Sequence, residues 1–178
     1  MLHMIEGCEV PDADALFEQY SVWEQGFYAN VDAEKLSCVF RHFIAMQTER
    51  MFFILETPAN AQEEELLRAN GSGPLHRNVY YIDGLNAFGF GVHDQSAELL
   101  LGKYNVVTLF TKELGKYADF FAAHGIPQTE ACQTAWDTFR EACPGKSFVI
   151  ERNGKTVFDL PEELKDWQTY LAERREVK

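Results

Sequence analysis

The chain has 178 residues and a mass of 20.4 kDa, with 28 Asp and Glu against 16 Lys and Arg, a formal net charge of −12 and a pI of about 4.8. An apolar share of 46% in a chain of this length suits one folded domain and excludes disorder as the main state. The acidic balance, with no basic stripe to release counterions, argues against direct binding of nucleic acid.

Residues 12–24 follow Pro11 and carry Ala13, Leu16, Phe17, Tyr20 and Trp23 at helical spacing, which predicts an N-terminal helix. Residues 1–30 are then expected as a helical appendage. Asp32 is a suitable N-cap for a second helix over 33–49, with Leu36, Val39, Phe40, Phe43 and Ile44 as its apolar stripe. Residues 50–56 read as a short strand. Thr57 and Pro58 predict the start of a third helix that carries Glu63, Glu64 and Glu65 and stops near Gly71.

Residues 71–74 read as a loop and 78–83 as a strand. Residues 85–94 alternate unusually, with Phe88, Phe90 and Val92 on one face and Gly89 and Gly91 on the other. Asp94, Gln95 and Ser96 predict a turn, and 97–101 and 104–111 predict strands; a helix over 95–103 is the alternative. Thr111 caps a helix over 112–124 that Gly125, Ile126 and Pro127 end. A further helix is expected over 130–142, with Cys132, Ala135, Trp136 and Phe139 inward. Asn153 and Gly154 predict a tight turn between strands 148–152 and 155–158. Pro161 opens a last helix with Leu164, Trp167 and Leu171 inward.

The order of elements disfavours a doubly wound parallel sheet. It predicts a single α+β domain, with a mixed or mainly antiparallel sheet of about five to seven strands, helices packed on it and a helical N-terminus. No stretch of 18 apolar residues occurs, so no membrane contact is expected. The first residues lack a positive region followed by an apolar one, so a cytoplasmic location with reduced Cys8, Cys38, Cys132 and Cys143 is expected.

Known catalytic spacings are absent. Gly145-Lys146-Ser147 and Gly154-Lys155-Thr156 lack the earlier glycine of a phosphate-wrapping loop. No metal-spaced Cys or His group occurs, so no metal and no cofactor is expected. His124 suits a helix C-terminus, where its cation would face the helix dipole, and His42 reads as a helix-face residue.

The charge distribution carries more. Residues 1–34 hold eight carboxylates and no Lys or Arg. The sequence therefore predicts an inhibitor, immunity or regulatory type of binding protein, docking a basic protein partner. The expected surface is formed by Glu6, Glu9, Asp12, Asp14, Glu18 and Glu24, with Glu63, Glu64 and Glu65 as a second cluster. The alternative is a small-molecule site or minor enzyme. Its floor would be Gly89 and Gly91, walled by Tyr80 and Tyr104, with His93, Asp94, Asp83 and His76 at the rim for acid–base work. A large side chain packed over the glycines from a helix, such as Trp136, Trp167 or a Tyr, would explain them without a ligand.

Overall fold

The computed structural model describes residues 1–60, 63–70, 84–160, 162 and 169–176. It is α+β. One antiparallel sheet contains β2 (Gln19–Trp23), β3 (Gly26–Asn30), β4 (Met51–Asn60), β5 (Glu63–Asn70), β6 (Ala87–Val92), β7 (Ala97–Leu101), β8 (Val106–Thr111) and β10 (Thr169–Glu176). The strand order is β10-β5-β4-β6-β7-β8-β3-β2. A separate two-stranded ribbon pairs β1 (Cys8–Glu9) with β9 (Lys146–Ser147). No helix among the described residues is long and apolar enough to cross a membrane.

Two helices, α1 (Leu36–Met46) and α2 (Leu114–Ala123), lie on one face of the sheet. α1 buries Leu36, Val39, Phe40 and Phe43, the expected period of a one-sided helix, and Phe40 stacks on Phe88 at 4.7 Å. Asp32 organises the approach to α1: its carboxylate accepts the Glu34 N–H and its carbonyl the Lys35 N–H. α2 buries Tyr117 and Phe121, and Phe121 packs on Phe27 and Tyr20. Its end is a Schellman motif: Ile126 N–H bonds Phe121 O, Gly125 N–H bonds Ala122 O, and Gly125 takes φ +70°. Phe27, Phe43 and Phe121 are fully buried, and each contributes about 1.5–3 kcal/mol by leaving water.

The N-terminus departs from the expected helix. Residues 13–15 form one 3-10 turn, and Gln19–Trp23 is a strand that pairs with β3 through a two-residue turn at Glu24 and Gln25. Apolar residues at i and i+3 are compatible with both states over so short a span, and pairing with β3 decides for the strand. Tyr20 reaches the helical face of the sheet and stacks on Phe121.

Three other expected helices are also corrected. Residues 57–60 continue β4, and Glu63–Asn70 is β5, paired antiparallel with β4 with a register shift between Pro58 and Asn60. Over 130–142 only Ala135–Thr138 turns helically, in a capping box where Asp137 accepts from the Thr134 N–H and hydroxyl. In the expected last helix, Thr169–Glu176 is instead a strand against β5. In all three, ladder partners or local caps outweigh intrinsic propensity.

α1 and α2 fall where helices are expected, but they are shorter than 33–49 and 112–124, and Lys35 and Glu113, not Asp32 and Thr111, occupy the cap positions. β6, β7 and β8 are strands as expected, and 97–101 is strand rather than helix, with one 3-10 turn at Lys103–Asn105. Asn153 and Gly154 take positive φ, 56° and 75°, but the flanking strands shrink to one bridge between Arg152 and Lys155. The expected loop 71–74 and strand 78–83 lie outside the described residues, as do His76, Tyr80, Asp83, Leu164 and Trp167.

A smaller core holds the first residues against the far end of the sheet. Leu2, Leu16, Tyr104 and Ala135 are buried together. Asn105, fully buried at φ 65°, is its polar pin. Its Oδ1 accepts from Ile5 N–H at 2.8 Å, and its Nδ2 donates to His3 O and Val31 O at 2.8 and 2.9 Å.

Candidate functional site

The acidic N-terminal segment is partly neutralised from the other end of the chain. Glu6 pairs with Arg152, Asp12 with Arg140 at 3.3 Å, and Glu9 faces Lys146 across the β1–β9 ribbon at 3.9 Å. Glu18 pairs with Lys35, whose ammonium also donates to His124 O. Glu64 and Glu65 stand opposite Arg175 and Arg174 in the β5–β10 register. The charge asymmetry along the sequence is therefore evened out in space at Glu6 and Glu9. Asp14 and Glu24 are exposed.

Two large aromatic side chains stand exposed on the segments that carry Asp12, Asp14 and Glu130. Phe17 and Trp136 are 58% and 50% exposed, although the sequence suggested that both would face inward. They follow Leu16 and Ala135, which are fully buried in the same small core. Asn30 ties the two segments together, its Nδ2 donating to Phe17 O and Gln133 O at 3.3 and 3.5 Å. Gln19 Nε2 also donates to Gln133 O, and the Asp12–Arg140 pair closes the outer edge. Trp136 meets the edges of Tyr104 and Phe139 at centroid distances of 4.9 and 5.3 Å, so its ring is held while half of it faces water. Residues 12–18 and 130–141 together carry six carboxylates and one base; Asp12 pairs with Arg140, Glu18 with Lys35 and Asp137 caps Thr134, which leaves Asp14, Glu130 and Glu141 as the carboxylates for which no such contact is seen among the described residues.

The glycine strand is filled by its neighbours. Phe52 of β4 stands directly opposite Gly91, and its ring occupies the space where a Cβ on Gly91 would lie. A Cβ on Gly89 would overlap the carbonyl oxygen of Leu99, and one on Gly26 that of Leu109. These two glycines answer to a close approach of backbones. The large side chain over the strand thus comes from β4 and not from a helix. Tyr104 packs in the small core, away from this face, with its hydroxyl 3.4 Å from Ser147 Oγ.

At the rim, Asp94 acts as a turn residue. Its Oδ1 accepts the Ser96 N–H at 2.9 Å, and hydrogen bonds from Ser96 hold its carboxyl below the usual range. His93 is exposed, with its ring 5.4 Å from Phe52. Cys132 lies against Gln19 O, and burial pushes its thiol up to about 11, which leaves it a poor nucleophile at neutral pH. His42 is wedged between the helices, stacked on Phe120 at 4.2 Å and edge-on to Tyr117. Its Nε2 is buried and has no hydrogen-bond partner.

One group joins residues the sequence keeps apart. His3 Nδ1 and Asp32 Oδ2 form an ion pair at 3.0 Å, and His3, Asp32 and Glu34 each offer one ligand atom within 4.8 Å of the others. A separation of 29 residues left no spacing signal for this cluster. The exposure of Phe17 and Trp136 was likewise hidden, because an aromatic at helical spacing reads as core.

Comparison with protein-family models, with curated proteins and with solved structures gives no match for this chain.

Proposed function

We propose that the protein is a binding protein of inhibitor or regulatory type, which docks a basic protein partner on the surface formed by residues 12–18 and 130–141. The observation that carries this reading is the pair of half-exposed aromatic side chains, Phe17 and Trp136, held on two cross-tied segments where Asp14, Glu130 and Glu141 add carboxylates beyond those paired with Arg140 and Lys35 or capping Thr134. Large aromatics backed by a core are the usual anchors of protein interfaces, and a charged rim adds rate and specificity. Restraint of Trp136 by Tyr104 and Phe139 reduces the side-chain entropy lost on docking. Glu6 and Glu9 lie outside residues 12–18 and 130–141 and face Arg152 and Lys146.

The test is affinity capture from the native host on immobilised wild type and on two variants, Trp136→Ala and Asp14→Asn with Glu130→Gln. The reading expects one basic protein retained by wild type, lost by Trp136→Ala, and released from the charge variant at lower salt. Equal retention by all three would overturn it, as would an acidic partner.

A further inference from the structure

We propose that His3, Asp32 and Glu34 form a binding site for one divalent first-row transition ion, with Zn2+ as the best fit. The three ligand atoms lie within 4.8 Å of one another, and they are one imidazole nitrogen and two carboxylate oxygens. All three are donor types that Zn2+ accepts. His3 Nδ1 and Asp32 Oδ2 form an ion pair at 3.0 Å, and an ion bound there would take the place of the proton between them.

The two segments that bring the ligands together are fixed without the ion. Leu2 and Ile5 are buried on either side of His3. The His3 carbonyl accepts from Ala33 N–H at 3.0 Å and from Asn105 Nδ2 at 2.8 Å. Asp32 is 7% exposed, and its two oxygens accept the backbone N–H groups of His3 and Glu34 at 2.9 and 3.0 Å. Those bonds orient the carboxylate, as outer partners do for metal ligands. The imidazole of His3 and the side chain of Glu34 are open to solvent, which gives an entry path and room for a water as fourth ligand. An ion there would fasten the N-terminal segment to the chain that leads into α1. The inference stands apart from the docking surface, to which none of the three residues belongs.

The experiment is calorimetric titration of ZnCl2 into the untagged full-length chain, alongside His3→Ala and Glu34→Gln. Both variants keep Asp32 and its backbone bonds, so both should fold, and circular dichroism checks this. The site predicts one Zn2+ per chain, a rise in Tm with Zn2+ for wild type, and affinity lower by more than about tenfold in each variant. Co2+ substitution should show no thiolate charge-transfer band. The proposal is overturned by absence of Zn2+ binding, by equal affinity in wild type and variants, or by a thiolate band that places the metal on cysteine.

Discussion

Asp12 and Arg140 are 128 residues apart in the chain, and Arg140 Nη2 lies 3.3 Å from Asp12 Oδ2. This pair closes the junction between the segment that ends at Phe17 and the one that carries Trp136. Its side chains are 61% and 76% exposed, so water and salt screen it heavily. Its contribution is therefore geometric more than energetic. Arg140→Ala is expected to cost less than about 1 kcal/mol of stability, and a double-mutant cycle with Asp12→Ala should give a coupling of about 0.2–1 kcal/mol that shrinks in high salt. Urea denaturation at two ionic strengths measures both.

The glycines of the sheet should respond unequally to one added methyl group. Gly89→Ala and Gly26→Ala each drive a Cβ into the carbonyl of a paired strand, and backbone cannot move aside without opening the ladder. Gly91→Ala meets the far end of the Phe52 ring, which can turn away. Overpacking of this kind costs about 1–3 kcal/mol, with the backbone clashes at or above the top of that range and Gly91→Ala near the bottom. Chemical denaturation of the three variants checks the order. A ligand floor over Gly91 would predict little loss of stability there.

Asn105 should be the costliest polar residue to replace. Its amide bonds Ile5 N–H, His3 O and Val31 O inside the protein, and its φ of 65° is one that Asn tolerates better than Ala. Asn105→Ala leaves buried backbone groups unpaired and should cost roughly 2–5 kcal/mol. Asn105→Gly relieves the backbone and not the lost bonds, and should recover only about 1 kcal/mol. Thermal melts separate the two, and limited proteolysis should cut first within residues 1–10.

His42 sets an acid-side limit to stability. Burial between α1 and α2, with the charge of His124 nearby, lowers its pKa from the ordinary 6.5. The unfolded chain therefore binds a proton at higher pH than the folded one. The stabilisation is present in full above about pH 6.5 and is lost as pH falls through the lower folded value. His42→Gln should flatten the fall of Tm below pH 6.5 relative to wild type, and melts from pH 7.5 to 5 measure this. An unchanged slope would show that other groups cause it.

Much of the fold was legible where local and tertiary preferences agree. The stripe Leu36, Val39, Phe40 and Phe43 gives α1, and Gly125 with Ile126 marks the end of α2. The turn at Asp94 and the positive-φ pair Asn153-Gly154 also read correctly. The errors fall where strand partners lie far along the chain. Glu63–Leu67 has the composition of a helix, yet β4 on one side and β10 on the other supply its ladder bonds. Tyr20 and Trp23 keep helical spacing, yet β3 captures them.

The candidate site was legible only as a bulk property. Eight carboxylates in the first 34 residues drew attention to the N-terminal segment, but the sequence could not show Arg152 beside Glu6 or Lys146 beside Glu9. Phe17 and Trp136 looked like core, because spacing carries no information about which side of an irregular segment meets water. His3 and Asp32 are joined only by the fold.

The most direct test of the docking surface is hydrogen–deuterium exchange of the protein, free and bound to the partner that affinity capture retains. Added protection is expected at residues 12–18 and 130–141, around Phe17 and Trp136, with no change at Glu6 to Glu9 or at Lys146. Protection confined to any other surface, with residues 12–18 and 130–141 unchanged, would contradict the proposed docking surface.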